Sequence, residues 1–417
     1  MFWGRKKQAD HEYILVLDIG TSFVKAVVCF IEDNQAHIVS HRRCKQTANS
    51  MRGGMIVNLP EVVKACRTAI DLATQDLDTE VTSAVLGING QLIESVTTTV
   101  HYDRAHSNHP LEHSELKNII YKIQQRSSEK LRSSLSEKFL EDHPDIELIH
   151  ASVVDVQMDG YVVENPIGFQ GKRLSLTIFN AYVPTVYMGI LQNLAQELNL
   201  NILAVAAQPY GLSKLFVNND LRSDNPEGIF IDIGGGTTDL VVLKNGGMEG
   251  IQSFALGGDA FTRNLKKVLG GSLEKAEKIK IDYANDLLDK RSTKKISESL
   301  MADARIWLSG VEIALKEFHE LKILPSKIYL TGGSAPLPEL RRVLLTKDWS
   351  KQLPFSKKPY PYVIKVDEVS EIVNESKTEL CPSDIPSLGL TKLNLNLTSE
   401  DDVVTNTLQN IIKSMQE

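Results

Sequence analysis

At 417 residues the chain exceeds one ordinary hydrophobic core, so its length implies two or three domains. Its 42% hydrophobic and 24% charged residues are those of a soluble globular protein, and a formal net charge of -7 argues against any broad nucleic-acid-binding surface. The four cysteines, Cys29, Cys44, Cys66 and Cys381, are scattered without metal-ligand spacing, as expected of reduced thiols in a cytoplasmic protein. No apolar run approaches the roughly 18 residues needed to span a bilayer. The start, Met1–Lys7, lacks the apolar stretch of a secretion signal, so any membrane contact is expected to be peripheral.

In chain order, Tyr13–Phe30 is a β-rich run broken by the tight turn Gly20-Thr21-Ser22. A second turn at Glu32–Gln35 leads into a third strand from Ala36, and Leu59–Ala73 then places apolar residues at helical spacing behind Pro60. Val81–Ile88 reads as a strand. Between Gln91 and Gly171 lies material without a later counterpart: strand-like Leu92–Val100, a His-rich loop, a helical Ser114–Lys130, and Ile149–Leu176. His101, His106, His109 and His113 lack the carboxylates or thiolates that would complete a metal site.

Gly228–Leu243 then repeats the first unit. An Asp closes the first strand in both copies (Asp18 and Asp232), a Gly/Thr turn follows, and a second β-rich run comes after it. The copy turns again at Lys244–Gly247 and continues to Ala255. Asp259–Leu269 is helical directly after Gly257-Gly258, and Leu273–Glu320 is mostly helical, interrupted by the basic stretch Lys290–Lys295. Lys327–Thr331 is a strand and Pro338–Leu344 a helix. Lys351–Glu379 is polar with strand-like Tyr362–Val366, and the tail from Thr391 includes a linker. Two similar α/β halves of this kind are expected to face each other across a cleft.

The paired turns carry the chemistry. A nucleotide tail needs backbone N–H groups that approach closely, hydroxyl donors, and carboxylates that hold a hydrated divalent cation. Gly20, Thr21 and Ser22 on one side, with Gly234, Gly235, Gly236, Thr237 and Thr238 on the other, supply the first two. Asp18 and Asp232 can hold Mg²⁺ through its waters, and Lys25 can reach a phosphate as a point charge. Gly332, Gly333 and Ser334 follow a strand and would let the backbone pass under a flat adenine ring. Glu277 and Lys280, at i and i+3 on the helix predicted at Leu273–Ala284, can face a ribose, and Gly257-Gly258 opens a helix whose N-terminus favours an anion. No arrangement for covalent catalysis stands out.

These segments resemble the actin, sugar-kinase and DnaK-type chaperone superfamily, with its two phosphate loops, two connecting helices and adenosine loop. Gln208 falls where that superfamily places the residue that positions the attacking water. A neutral Gln orients water but is a poor base, so hydrolysis is expected to be slow at most. Within the superfamily the chain looks like FtsA, on Arg52–Asn58, Val85–Gly90, Asn165–Leu174 and Ala276–Tyr283. The resemblance covers roughly Glu12 to Leu390.

The resemblance implies an α/β fold of two actin-like, ribonuclease H-like lobes around a nucleotide cleft, with an inserted FtsA-type subdomain. It divides the chain into a first-lobe core at 12–86 (continued at about 174–208 and 386–396) and an insertion at 87–173. The second-lobe core is then 209–260 (continued at about 321–385), with a helical subdomain at 261–320 and a linker with an amphipathic segment at 397–417. It implies ATP and Mg as ligands and self-association into filaments. It also implies capture of the C-terminal tail of the tubulin-like FtsZ by the helical subdomain, and peripheral attachment to the cytoplasmic face of the cell membrane at the division site.

Arg291, Lys294 and Lys295 could meet an acidic tail. Val404, Leu408, Ile411, Ile412 and Met415 form one apolar stripe at helical spacing, but only Lys413 accompanies them, against Asp401, Asp402 and Glu417. Phe2 and Trp3 beside Arg5, Lys6 and Lys7 offer aromatics and charge for a membrane surface at the other terminus. The alternatives are a PilM-like adaptor of pilus assembly, which shares the phosphate loops, and a small-molecule kinase, for which no substrate-site carboxylate is evident.

Overall fold

The strand β1 (Ile14–Ile19) is apolar except for Asp18 and buried along its whole length, as a central strand covered on both faces must be. In the computed structural model, residues 11–88, 93–139, 145–215, 227–244, 246–319, 321–346, 348–369 and 371–398 are described, together with 404, 407, 408, 410 and 411. Strand β1 pairs antiparallel with β2 (Phe23–Glu32), and β2 with β3 (Gln35–Lys45). A two-strand hairpin, β4 (Met51–Arg52) and β5 (Met55–Ile56), leads to α1 (Leu59–Thr74). Its N-cap Asn58 accepts a hydrogen bond from the Glu61 N–H, and Val62, Cys66 and Ala69 turn its apolar face onto the sheet. Strand β6 (Ser83–Ile88) lies parallel to β1 on its other side.

The chain then leaves this sheet for a second one. Strands β7 (Glu94–Asp103), β8 (Ile146–Met158), β9 (Tyr161–Val162) and β10 (Arg173–Pro184) form an antiparallel sheet in the order β7-β10-β8-β9. Helix α2 (His113–Phe139) covers one face, with Leu116, Ile120 and Ile123 buried in one cluster with Leu174, Leu176 and Ile178. Strand β10 stays in this sheet as far as Pro184, eleven residues past the Arg173 at which the sequence reading ends the insertion. Its alternation of buried apolar residues has the same period in either sheet, so the boundary leaves no mark in the pattern.

Helix α3 (Thr185–Leu198) and β11 (Asn201–Ala207) return to the first sheet, and α4 (Gln208–Leu215) crosses to the second lobe. There the first architecture recurs. Strands β12 (Gly228–Ile233), β13 (Thr238–Lys244) and β14 (Gly247–Phe254) are antiparallel neighbours. Helices α5 (Gly258–Leu269), α6 (Leu273–Ala284) and α7 (Lys290–Lys316) follow. Strand β15 (Lys327–Thr331) is parallel to β12, as β6 is to β1. Helix α8 (Pro338–Leu344) and β16 (Tyr360–Val363) complete the lobe. Ile229, Ile231 and Ile233 face the helices, while Phe230 points the other way and stacks on Tyr329 at 4.8 Å. The basic stretch Lys290–Lys295 does not interrupt the helices: it is the start of α7, held by Asp289, whose carboxylate accepts from the Arg291 and Ser292 N–H groups. That cap offsets cations placed at the positive end of a helix dipole.

Strand β17 (Ile372–Asn374) rejoins the first sheet beside β3, and α9 (Ile385–Thr398) packs across α4. The two helices cross at Gly211 and Gly389, where a Cβ on Gly389 would lie 2.5 Å from the Gly211 carbonyl carbon. Backbones this close require glycine at both positions. Val404, Leu408 and Ile411 of the predicted stripe are buried in the core of the inserted sheet rather than offered to solvent. Ile412, Lys413 and Met415, like the aromatic and basic residues at positions 2–7, lie outside the described residues. Among the described residues no helix is long and apolar enough to cross a membrane.

Candidate nucleotide site between the lobes

The two predicted phosphate loops have the same local structure. The Gly20 N–H donates to Phe23 O at 3.1 Å, and the Gly234 N–H donates to Thr237 O at 3.0 Å. Both turns join the two strands of a hairpin, and the hairpins meet across the cleft. A Cβ on Gly235 would fall 1.9 Å from Ser22 Oγ, and one on Gly236 would lie 2.8 Å from Thr21 Oγ1. Ser22 Oγ also donates to Asp259 Oδ1 at 3.2 Å, at the start of α5. The loops thus face each other with only backbone between them at Gly235 and Gly236, which is what close approach to a phosphate chain demands.

Asp18 and Asp232 stand at the ends of β1 and β12, both almost fully buried. Asp18 is saturated with partners. Lys25 Nζ is 3.1 Å from its Oδ2, Ser387 Oγ donates to the same oxygen at 2.8 Å, and Gln208 Nε2 donates to Oδ1. Lys25 also donates to the Ser383 carbonyl. Burial by itself would lower the Lys25 pKa, but Asp18, Asp384 and Asp232 around it raise it above the ordinary lysine value, so it stays charged.

Asp232 is the opposite case. Its Oδ1 is buried with no hydrogen-bond partner, and desolvation, reinforced by Asp239, lifts its pKa to about 7 against the pull of Lys25. Thr21 Oγ1 is likewise buried and unpartnered. An orphaned carboxylate oxygen and an orphaned hydroxyl in a cleft are the groups that a hydrated cation and a phosphate would satisfy, so these residues fit Mg-nucleotide.

The remaining predicted residues converge on the start of α5. Lys280 Nζ is 2.8 Å from Glu277 Oε2, 2.9 Å from Gly258 O and 2.8 Å from Thr262 Oγ1. A Cβ on Gly258 would meet Ser334 Oγ at 2.4 Å, which brings the adenosine-loop serine to the same spot. Gly332 has φ +91, and a Cβ there would lie 2.2 Å from Asp232 Oδ1, so this glycine lets the third loop pass beneath the carboxylate. Gly333 lies beside Ser383. Gly257 is the N-cap of α5, and the Gly258 and Asp259 N–H groups donate to Gly234 O and Gly235 O at 2.9 Å each, locking the helix start onto the phosphate loop. Two of the helix's free donors are thereby used within the protein rather than left for an anion. Thr237 and Thr238 are also turned inward. Thr237 Oγ1 donates to Asp239 Oδ2 at 2.9 Å, while Thr238 Oγ1 donates to Leu256 O at 2.6 Å and accepts from Trp307 Nε1 at 3.0 Å.

Several contributors escaped the sequence reading. Asp239 lies seven residues after Asp232, as Lys25 lies seven after Asp18, and that spacing could have revealed it. Ser383, Asp384 and Ser387 are remote in sequence and carry no motif. Asp384 Oδ1 lies 3.3 Å from His41 Nε2. Burial opposes its ionisation, but His41, Lys25 and the Cys381 N–H hold its carboxyl well below the usual carboxylate range.

A second concavity, of about 620 Å³, opens in the second lobe between α6, α7 and α8. Leu288, Met301 and the Tyr283 ring line it together with the cations Lys290, Lys294, Arg305 and Arg342, which outnumber the carboxylates Asp286 and Glu298 there. Lys294 is thus at a cavity, whereas Arg291 and Lys295 are not among its lining residues.

Two facing lobes built on one repeated hairpin, with a matched glycine turn from each, define the actin-like class of fold. The chain superposes on the PilM–PilN type IV pilus biogenesis complex with a TM-score of 0.64 at 14% identity, covering 92% of this chain and 98% of that one, a likeness of fold. Within the class, sequence points to one family. The family model for cell division protein FtsA matches residues 229–377. Cell division protein FtsA of Neisseria meningitidis serogroup B is 27% identical over 349 residues, covering 78% of this chain and 79% of the relative. That of Bacillus subtilis is 24% identical over 354 residues, covering 79% and 75%. The chain is similar in sequence to FtsA cell-division proteins over most of its length, the resemblance its motifs carry.

Proposed function

We propose that the chain is an ATP-binding, actin-like scaffold of cell division that assembles into filaments and links the FtsZ tail to the cytoplasmic face of the membrane at the division site. The observation that carries this reading is the pair of matched phosphate loops in a chain whose FtsA relatives span most of its length.

In the proposed complex, Thr21, Ser22 and the backbone of Gly20 and Gly234–Gly236 hold the phosphates. Asp18 and Asp232 would hold hydrated Mg²⁺, and Lys25 orients the Asp18 carboxylate. Glu277 and Lys280 face the ribose, and Gly332–Ser334 the base. Mg-ATP supplies the charge that ties the two loops together. Gln208, fixed on Asp18 at the start of α4, orients water without removing its proton, so turnover is slow. A neutral amide there suits a nucleotide that sets lobe closure and filament formation more than one that is rapidly consumed.

For FtsZ we assign the cavity between α6, α7 and α8. Its cations with apolar Leu288 and Met301 suit a short acidic peptide with apolar anchors. The test is fluorescence anisotropy of a labelled C-terminal peptide of FtsZ from the same cell, titrated with this chain in Mg-ATP. Saturable micromolar binding that falls on Met301→Glu supports the assignment. ATP binding without peptide binding would instead favour an adaptor of another assembly, such as a pilus.

A further inference from the structure

Lys25 and Asp18 are each held by a residue from far along the chain. Lys25 Nζ donates to the Ser383 carbonyl, and Ser387 Oγ donates to Asp18 Oδ2 at 2.8 Å. These two partners come from the single helical turn Pro382–Asp384 and the start of α9 that follows it. The same turn reaches the second lobe, where Thr331 Oγ1 donates to the Pro382 carbonyl at 3.4 Å and Gly333 lies beside Ser383. Its position bears on both sides of the cleft.

Asp384 pins that turn. Its Oδ2 accepts from the Cys381 N–H at 2.9 Å, which closes the turn on itself, and its Oδ1 faces His41 Nε2 at 3.3 Å. Both side chains are buried. His41 Nδ1 has no hydrogen-bond partner, so Asp384 is the polar group that this ring meets among the described residues. The backbone adds a second tie, because Thr378 Oγ1 donates to the His41 carbonyl at 3.3 Å.

The sheet places His41 in line with the site. His41 on β3 stands opposite Val27 of β2, two residues from Lys25, and Lys25 stands opposite Asp18 of β1. Strand alternation puts all three polar side chains on one face. Against the effect of burial, His41 and Lys25 both hold the Asp384 carboxyl below the usual carboxylate range. Removing one member of a buried pair strands the other, so the turn stays where the imidazole holds it.

We propose that His41 is a positioning residue of the nucleotide site: through Asp384 it fixes the turn whose Ser383 carbonyl, with the Ser387 hydroxyl just beyond it, holds Lys25 and Asp18 in place. The proposal rests on the nucleotide reading above. His41 acts through Asp384 and not on the ligand.

The test is isothermal titration calorimetry of Mg-ATP into the full chain carrying His41→Phe or His41→Gln, each repeated together with Asp384→Asn, with urea unfolding of every variant alongside. His41→Phe keeps a ring but removes both nitrogens, and is expected to weaken Mg-ATP about tenfold. His41→Gln, whose amide can still donate to Asp384, is expected to recover most of that loss. In the Asp384→Asn background, where the pair is already broken, His41→Phe is expected to cost less than about twofold. Lower stability with unchanged affinity, or the same fold-loss in both backgrounds, would overturn the positioning role. Should His41→Phe alone fail to fold, the double variant, which buries no unpaired carboxylate, is compared with Asp384→Asn, and a gap of about tenfold between them overturns it equally. A natural chain that does not bind Mg-ATP would instead sink the nucleotide reading and the positioning role with it, an outcome distinct from binding that is indifferent to His41.

Discussion

Asp232 sits across the β12–β13 ladder from Asp239, at the position where Asp18 sits across from Lys25 in the β1–β2 ladder. The duplication thus placed a cation beside one cleft carboxylate and a second carboxylate beside the other. Lys25 is bonded to Asp18, while burial and Asp239 leave Asp232 with a pKa raised to about 7 and an orphaned oxygen. Asp18 thus has its partners within the protein, whereas Asp232 keeps an oxygen that a hydrated cation would satisfy.

The sign of the resulting pH dependence follows. A folded-state pKa above the unfolded value means that Asp232 favours the folded chain at low pH. That contribution is lost as pH rises from the ordinary aspartate value of 3.8 through about 7, because the unfolded chain releases the proton first. Mg-nucleotide needs the ionised carboxylate, so its affinity is expected to rise with pH through about 7, approaching tenfold per unit below that value. Urea denaturation with and without Mg-ATP across this range measures both trends. Asp232→Asn should flatten both, stabilise the nucleotide-free chain by about 1–3 kcal/mol, and weaken Mg-ATP at least about tenfold.

Lys280 is buried and holds Glu277, Thr262 and the Gly258 carbonyl at once. Lys280→Ala strands those acceptors, and a loss of about 1–3 kcal/mol in thermal or urea unfolding is expected. Nucleotide affinity should fall about tenfold even where the variant is fully folded. A variant as unstable as predicted but with unaltered affinity would remove Lys280 from the ribose site.

The α4–α9 crossing joins the lobes at Gly211 and Gly389. Gly389→Ala pushes a methyl into the Gly211 backbone and should destabilise the chain by about 1–3 kcal/mol. Because the displaced helices connect the lobes, the nucleotide-induced change in small-angle scattering should also shrink, whereas a Gly189→Ala control on α3, with open space at its Cβ position, should keep it.

In the cavity on the second lobe, Arg305→Glu is expected to weaken the FtsZ peptide about tenfold and to reduce the salt dependence of binding. Equal weakening at low and high salt would mean that the cavity binds through shape alone.

How much of this was legible in the sequence depends on which contacts are local. The hairpins, Pro338–Leu344 and Leu273–Ala284 were readable because period, caps and turn residues agree within a few residues of one another. The paired turns at Gly20 and Gly234 were readable because they occur twice. Ser387 and Asp384 were not, since they reach Asp18 and Lys25 from more than 350 residues away with no pattern of their own. The end of the insertion at Pro184 was missed for a similar reason: a strand's period does not say which sheet it joins. The tail's stripe was visible, but an apolar face fits a protein groove as well as a bilayer, and only the position of Val404, Leu408 and Ile411 in the fold distinguishes the two.

The most direct test of the nucleotide-gated scaffold is isothermal titration calorimetry of Mg-ATP into the full chain, repeated with Asp18→Asn and Asp232→Asn. The account predicts one saturable site per chain, lost or strongly weakened in both variants and dependent on magnesium. Binding that survives both substitutions, or no binding to a folded chain, would contradict a site built from the two matched loops.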